Sequence, residues 1–90
     1  MTAAPLISVL LPVYNAEPYV AAAMQSILRQ DYDQLEIIAI DDGSTDRSLE
    51  ILERCRRDDG RVSIISRENR GLVASLNEGL AIARGELVAR

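Results

Sequence analysis

Short apolar runs alternate along this chain with longer stretches in which apolar residues recur at helical spacing. Four runs have the mostly apolar, β-branched pattern of strands covered on both faces: residues 7–11, 35–40, 62–66 and 86–89. The stretch after each of the first three runs predicts a helix. The resulting order, βαβαβαβ, predicts a parallel sheet with right-handed crossovers and helices on both faces, a three-layer Rossmann-like α/β fold.

The helical stretches also predict which side chains face the sheet. The second helix is expected to begin among Ser44, Thr45 and Asp46, which are common capping residues. Gly79 is expected to let the third helix pack closely against the sheet. The predicted inward-facing residues of the three helices are, in order, Val20, Met24, Ile27 and Leu28; Leu49, Ile51, Leu52 and Cys55; and Leu72, Leu76, Leu80 and Ala83.

Composition narrows the function classes. The net charge is −4, so the chain lacks the basic character of a nucleic-acid-binding domain, and we expect no nucleic-acid partner. The single Cys55 cannot form an internal disulfide, which fits a reducing compartment.

No apolar run approaches the length of about 18 residues that a membrane span needs, and the first residues lack a basic signal-peptide region. We predict no membrane contact in this chain and a cytoplasmic location, with the parent protein at the cytoplasmic face of a membrane as an open alternative.

Acidic residues cluster directly after the second predicted strand, at Asp41, Asp42 and Asp46. Ligands of open α/β sheets bind at the carboxyl ends of strands, so this turn is a candidate site. A carboxylate there can accept the N3–H of uracil or N–H groups of other bases, and Asp42 is the strongest candidate. Gly43 is expected to let the backbone turn without a side chain blocking the cleft. The alternative is that these carboxylates cap the second helix, which is the expectation for Asp46.

A second polar turn follows the first predicted strand and contains Pro12, Tyr14, Asn15 and Glu17. Pro12 has no N–H to donate to a ladder, which suits a strand end that opens onto a cleft. The ring of Tyr14 is expected either to pack on a base or sugar, or to cover the edge of the core. Asn15 and Glu17 are expected either to position the loop or to cap the first helix.

The third predicted strand leads into Asn69, Arg70 and Gly71. Arg70 has the length and charge to reach a diphosphate or a base carbonyl, and the N–H groups at the start of the following helix favour anions. The alternative is a solvated surface arginine. Because the carboxyl ends of parallel strands share one edge of a sheet, the three turns together predict a nucleotide- or sugar-binding site.

Several well-known sites are excluded by the residues themselves. The sequence contains neither a G-x-x-x-x-G-K-[ST] phosphate loop nor a G-x-G-x-x-G motif after the first strand. The chain has no His and one Cys, so a zinc site or a Ser-His-Asp triad has too few of the required side chains.

Together the three turns resemble the N-terminal, nucleotide-sugar-binding half of family 2 glycosyltransferases, which have the GT-A fold. The matching segments are residues 7–15, 36–46, 68–71 and 75–79, and the resemblance covers residues 6–90. The most specific signal is the Asp-Asp-Gly-Ser-Thr turn at 41–45 in combination with Pro-Val-Tyr-Asn at 12–15.

The resemblance implies a role for each turn and an order for the strands. Pro12 and Tyr14 would border the nucleobase, Asp42 would accept a hydrogen bond from it, and the residues at 69–71 would close its other side. The implied ligand is a nucleotide-diphospho-sugar, with a UDP-sugar as the expected donor. The implied strand order is 3-2-1-4, with the first strand central and most buried.

All ten basic residues are Arg, and with eleven Ala this composition indicates a GC-rich, bacterial coding sequence. The resemblance further implies an enzyme of cell-envelope polysaccharide synthesis that transfers the sugar to an acceptor hydroxyl. Such enzymes use a divalent metal, Mg²⁺ or Mn²⁺, and its Asp-x-Asp ligands are expected beyond Arg90. We therefore expect residues 1–90 to form a single domain that is the donor-nucleotide portion of a longer glycosyltransferase. No catalytic or metal-ligating residue is expected within it, and the isolated chain is expected to be inactive.

Other functions fit the residues less well. A non-catalytic Rossmann-like nucleotide-binding or regulatory module of the receiver type needs an acid pair after the first strand, where Tyr14 and Asn15 stand. A nucleotidyltransferase needs a glycine- and lysine-rich loop at the same place. Finally, open strand edges and apolar patches promote association, so we expect self-association through the fourth strand.

Overall fold

The computed structural model describes residues 5–89 and shows three layers. The sheet is parallel in the order β3-β2-β1-β4, which confirms the predicted fold class and strand order. The strands are β1 (Ile7–Val13), β2 (Leu35–Asp42), β3 (Val62–Arg67) and β4 (Leu87–Ala89), and the helices are α1 (Glu17–Leu28), α2 (Ser48–Asp58) and α3 (Leu72–Ile82).

The first two strands run two residues further than the sequence predicts. The parallel ladder continues past the apolar runs, pairing Val13 with Asp41 and Asp42 with Arg67. Pro12 and the pair Asp41 and Asp42 therefore lie on strand ends and not in the following turns. Successive strand residues point to opposite faces, so the two carboxylates of this pair cannot serve one site.

The sheet separates two apolar clusters, one on each face. Helices α1 and α2 cover one face, where Val20, Met24 and Leu52 pack with Ile37 and other strand residues. Helix α3 covers the other face, where Leu76 and Ala83 pack against a cluster formed by Leu10, Ile38 and Ile40. These contacts confirm the predicted inner stripe of α1. They also confirm the predicted inward positions Ile51, Leu52 and Cys55 of α2 and Leu76 and Ala83 of the third stripe.

The prediction that β1 is the most buried strand is wrong, although β1 does lie between two neighbours. All eight residues of β2 are buried, compared with three of the seven residues of β1. Within the described range, β4 pairs only with the first three residues of β1. The second half of β1 therefore has a neighbour on one side only, whereas β2 is paired along most of its length on both sides.

The inner face of α3 also differs from the prediction. Leu72 and Leu80 are 54% and 50% exposed, whereas Ser75 and Gly79 are buried. A Cβ on Gly79 would lie 2.9 Å from Leu10 Cδ2, so α3 approaches the sheet closely on its small residues, as expected for this glycine. Leu72 and Leu80 are therefore turned towards solvent, whereas Leu76 still packs against the sheet.

Helix α2 begins at Ser48, later than the predicted start among Ser44, Thr45 and Asp46. Its N-cap residue, Arg47, makes no side-chain capping hydrogen bond. Asp46 Oδ1 accepts the N–H of Ser48 at 2.9 Å, so Asp46 still satisfies a donor at the start of the helix. The polar turn before α2 is used mainly for contacts with a neighbouring loop.

No helix within residues 5–89 is both long and apolar enough to span a membrane. The expectation about a signal peptide rests on residues 1–5, of which the first four lie outside the described range.

A buried carboxylate joins three segments at the edge of the sheet where β1 and β2 begin. Glu36 accepts hydrogen bonds from Ser8 Oγ at 2.6 Å and from both the N–H and the Nε of Arg84 at 2.9 Å. Burial acts to raise the pKa of Glu36, but these hydrogen bonds and the Arg84 charge outweigh it and lower the pKa below its usual value. This network holds the α3–β4 connection against the sheet.

Gly85 lies in the same connection and has no room for a side chain. Its N–H donates to Ser8 Oγ at 2.8 Å. A Cβ at this position would lie 2.6 Å from the Ser8 nitrogen and 2.8 Å from the Leu6 carbonyl oxygen. Because these are backbone atoms, the strand would have to move to admit even a methyl group.

Gly85→Ala is therefore expected to lower the free energy of unfolding by about 1–3 kcal/mol, the usual cost of overpacking. Gly60→Ala is the matched control, because a Cβ there meets nothing within 4 Å. Urea denaturation measures both. Equal stability of the two variants would contradict the close packing at Gly85.

Glu36→Gln is expected to lower the free energy of unfolding at neutral pH by about 1–3 kcal/mol, since it removes hydrogen bonds to a charged group. The folded-state pKa of Glu36 is lowered from 4.5. Its stabilising contribution is therefore complete above about pH 4.5 and is lost as the pH falls through the folded-state pKa.

The variant should consequently lose less stability than the wild type on acidification below that pH. Glu53→Gln, which removes an exposed ion pair with Arg56 on α2, is the control and should follow the wild type closely. Parallel acid profiles for Glu36→Gln and wild type, measured by urea denaturation, would refute the role of Glu36.

Candidate functional site

The carboxyl ends of β1 and β2 and the loop between β3 and α3 enclose a cleft of about 340 Å³. Five of the ten predicted site residues line it: Pro12, Tyr14, Asp42, Asn69 and Gly71. Val13, Leu72 and Ser75 complete its walls. A hollow of about 380 Å³ along the outer surface of α1 lies away from these strand ends.

Asp42 is the acidic group of the cleft and is almost completely buried. Its Oδ1 accepts the N–H of Arg70 at 2.7 Å and pairs with the guanidinium of Arg67, and its Oδ2 accepts the N–H of Gly71 at 3.0 Å. The Arg70 N–H above all, followed by Arg67 and the Gly71 N–H, lowers the pKa of Asp42, although burial acts in the opposite direction. The carboxylate is therefore ionised at neutral pH.

Arg67 is the main site residue that the sequence analysis missed. Its side chain is 10% exposed and lies between Asp42 and Glu78, whose Oε2 it contacts at 2.7 Å. It also donates to Ser75 Oγ at 3.0 Å. In the sequence, Arg67 could be recognised only as an arginine at the end of the strand that follows the Asp42 strand. The register of the two strands is what pairs Arg67 with Asp42.

In the remaining walls of the cleft, backbone segments from different loops approach each other closely. Gly43 has a φ of +74°, and a Cβ on it would lie 2.5 Å from the nitrogen of Asn69. Asn69 Nδ2 in turn donates to the Asp42 carbonyl at 3.1 Å. Gly71 has a φ of +94°, a conformation that side chains disfavour. Gly43 thus shapes the cleft without lining it.

Tyr14 and Pro12 form a largely apolar part of the cleft lining. Tyr14 is 53% exposed and lines the cleft beside Pro12. Of the two predicted alternatives for Tyr14, its exposed position in the cleft favours a surface for a ligand over a cover for the core.

Asn15 lies outside the cleft and joins two loops. Its backbone has a φ of 47°, its N–H donates to Ser44 Oγ at 3.0 Å, and its Oδ1 accepts the N–H of Thr45 at 2.7 Å. Helix α1 is preceded by Ala16 and has no side-chain cap. Of the two predicted alternatives, Asn15 therefore positions the loop and does not cap the helix.

Glu17 also connects the loop after β1 to the loop after β2. Its Oε1 accepts the N–H of Arg47 at 3.0 Å, while its own N–H donates to Asp46 Oδ2 at 3.1 Å. The N–H of Ala16 donates to Ser48 Oγ at 2.9 Å. These reciprocal bonds fix the loop after β1 to the loop after β2.

The two other predicted site residues also point away from the cleft. Asp41 is buried, and its carboxylate accepts hydrogen bonds from the Ser44 N–H at 3.3 Å and Ser66 Oγ at 3.2 Å. The exposed side chain of Arg70 pairs with Glu68 at 3.0 Å and with Glu78 at 3.2 Å. Only the backbone of Arg70 contributes to the Asp42 site.

The described residues do not fit a metal site by themselves. Between residues 5 and 89, no group of three His, Cys, Asp or Glu side chains is arranged to hold a metal ion. The carboxylate of Asp42, the acid in the cleft wall, is instead held by a guanidinium and two backbone N–H groups.

Solved structures of glycosyltransferases share this fold. The mannosyltransferase PcManGT from Pyrobaculum calidifontis, in complex with GDP-Man and Mn²⁺, matches with a TM-score of 0.88 and 32% identity over 97% of this chain and 27% of that chain. TarS 1-349 of S. aureus, in complex with UDP, matches with a TM-score of 0.84 and 32% identity over 92% of this chain and 25% of that chain.

Sequence comparison points the same way. An uncharacterized glycosyltransferase of Haemophilus influenzae is 47% identical over 87 residues, which are 96% of this chain and 27% of that protein. The chain thus spans roughly a quarter of the length of these three relatives. The family model for glycosyl transferase family 2 matches residues 8–90. The predicted resemblance is confirmed: this chain belongs to glycosyl transferase family 2.

Proposed function

We propose that this chain binds the nucleotide of a nucleotide-diphospho-sugar and is the donor-binding part of an enzyme that transfers the sugar to an acceptor hydroxyl. The observation that carries the proposal is the cleft at the carboxyl ends of the strands. An ionised, buried carboxylate, Asp42, lies in one wall, and Pro12 and Tyr14 form an apolar wall. A nucleobase has the matching chemistry, an apolar ring face and polar N–H groups at its edge.

The cleft residues suggest how the base would lie. One face of the ring would pack against Tyr14 and Pro12, since aromatic side chains favour stacked or edge contacts with other rings. An N–H at the ring edge would donate to Asp42, whose pKa is lowered by the Arg70 N–H, by Arg67 and by the Gly71 N–H. Asn69 and Gly71 would border the other side.

The predicted site residues that lie outside the cleft would hold the surrounding loops in position. Asn15, Glu17 and Gly43 keep the loops after β1 and β2 in place, and Asp41 fixes the turn that follows it. The proposed contact between the Arg70 side chain and the diphosphate requires that the side chain leave Glu68 and Glu78, whose carboxylates now neutralise it.

The next question is which nucleotide and which metal this chain would bind. The solved relatives contain GDP-Man with Mn²⁺ in one case and UDP in another. We propose a UDP-sugar for this chain, because one N–H of uracil suffices for a single carboxylate acceptor. We also propose Mg²⁺ or Mn²⁺ as the cofactor, with its ligands beyond Arg90. A bound divalent ion would neutralise the leaving diphosphate.

The family membership disfavours a non-catalytic regulatory module. Transfer itself requires an acceptor site and a base, and we propose both for the part of the enzyme that follows this chain. We also propose a bacterial enzyme of cell-envelope polysaccharide synthesis at a cytoplasmic location. Within this chain the proposed contribution is to bind and orient the donor.

Asp42→Asn is expected to weaken UDP binding by roughly 5- to 150-fold, the usual effect of leaving a buried polar group unsatisfied. Asn keeps the volume of Asp but presents an amide where the base needs an acceptor. NMR titration of the wild type and the variant with UDP measures the change. N3-methyl-UDP, which lacks the donating N–H, should bind the wild type as weakly as UDP binds the variant.

Asp46→Asn is the matched control for the Asp42 experiment. Asp46 contacts the N–H groups of Glu17 and Ser48 and does not line the cleft, so UDP affinity should be nearly unchanged. If Asp42→Asn binds UDP as tightly as wild type, Asp42 does not contact the base. If the wild type binds no nucleotide, the proposed function is wrong.

Self-association is proposed through β4, which is an edge strand with exposed Leu87 and Val88. Unpaired strand edges and exposed apolar side chains promote pairing between copies. Leu87→Lys is expected to shift the chain towards monomer in analytical ultracentrifugation. Val73→Lys, on the exposed surface of α3, is the control, and an equal effect of both substitutions would argue against β4 as the interface.

A further inference from the structure

The hydrogen-bonding capacity of Asp42 is almost exhausted within the chain itself. A carboxylate offers about four acceptor positions, two on each oxygen. Both positions on Oδ1 are used, by the guanidinium of Arg67 and by the N–H of Arg70 at 2.7 Å. Oδ2 accepts only the N–H of Gly71, at 3.0 Å. One acceptor position on Oδ2 therefore remains for a ligand in the cleft.

Arg67 is held firmly in the position that occupies Oδ1. Its Nε donates to Glu78 at 2.7 Å, and its other two nitrogens donate to Ser75 Oγ at 3.0 Å and to the Glu68 carbonyl at 3.1 Å. The Ser75 hydroxyl is itself tied to the Gly71 carbonyl at 3.1 Å. A guanidinium with so many partners and so little exposure stays in place when a ligand enters.

The bases differ in how many acceptors they need from a carboxylate. Uracil presents one imide N–H between two carbonyl groups. Guanine presents its ring N–H and an amino N–H side by side, and the pair matches both oxygens of a free carboxylate. Adenine and cytosine have a ring acceptor at this edge, which a carboxylate repels. The single free position on Asp42 thus satisfies uracil and leaves one guanine donor without a partner.

We propose that Arg67 determines base specificity: by occupying Oδ1 of Asp42, it makes the cleft select uracil over guanine. The inference rests on the proposed nucleotide-binding function and names the residue that would decide the choice of base. Arg67 acts through Asp42 and is therefore a positioning residue. Similar solved structures differ in this base, since one contains GDP-Man and another contains UDP.

The first test compares ligands on the wild-type chain by NMR titration. UDP should bind more tightly than GDP. Inosine diphosphate tests whether the amino group of guanine weakens binding, because it keeps the purine ring and the ring N–H but lacks the amino group. A buried donor without a partner weakens binding by roughly 5- to 150-fold. Inosine diphosphate should therefore bind more tightly than GDP by a factor in this range.

The second test removes the guanidinium. Arg67→Met keeps much of the apolar stem and frees Oδ1 of Asp42, so the guanine amino group gains an acceptor. The order of the two purine ligands should reverse, with GDP binding more tightly than inosine diphosphate by roughly 5-fold or more. Glu78→Gln is the matched control, because it weakens a partner of Arg67 but leaves Arg67 on Asp42. It should keep the wild-type order.

The outcomes separate the two proposals. The role of Arg67 is overturned if the wild type binds GDP more tightly than inosine diphosphate, or if the order is unchanged in Arg67→Met. In either case, binding of UDP by the wild type would still support the proposed function. Absence of binding by any of the three nucleotides would overturn the proposed function instead. Circular dichroism checks the fold of each variant. If Arg67→Met fails to fold, Arg67→Ala takes its place, since the smaller side chain leaves room for water to solvate Asp42 and Glu78, and it should show the same reversal of the two purine ligands.

Discussion

The carboxylate of Asp42 is the interaction on which the candidate site depends. It stands at the end of the most buried strand and accepts the N–H groups of Arg70 and Gly71, which belong to the loop before α3. The same carboxylate holds Arg67 at the end of the neighbouring strand. A single buried charge therefore joins β2, β3 and the start of α3. Because an unpaired buried charge is costly, each partner constrains the others.

Hydrogen bonds between the loops supply the other constraint on the cleft. The loop after β1 and the loop after β2 exchange bonds through Asn15 and Glu17 on one side and Thr45 and Asp46 on the other. None of these side chains lines the cleft, yet they determine where Tyr14 and Gly43 lie. At the opposite edge of the sheet, Glu36 fixes the connection that places β4 beside β1. The sheet is thus held by buried carboxylates at both ends.

The periodicity of apolar residues was sufficient to predict the element order, the parallel sheet and the inner faces of α1 and much of α2. Such patterns report burial directly, because a buried strand or helix face must be apolar to be stable. The family resemblance supplied the strand order. Motif position also placed Pro12, Tyr14, Asp42, Asn69 and Gly71 at one edge, because strand ends of a parallel sheet meet there.

Contacts between distant residues were decided only by the tertiary structure. Leu72 and Leu80 have the spacing of an inner face, but the close approach at Gly79 turns that face towards Ser75. Asp41 and Asp42 are adjacent in sequence, but strand geometry sends them to opposite sides. Arg67 and Asp42 are 25 residues apart, and no local pattern reveals which arginine a carboxylate will bind. The sequence by itself determined the layers and the edge that carries the candidate site, because these follow from local patterns. The register and close packing of the folded chain decided which polar groups remain free for a ligand.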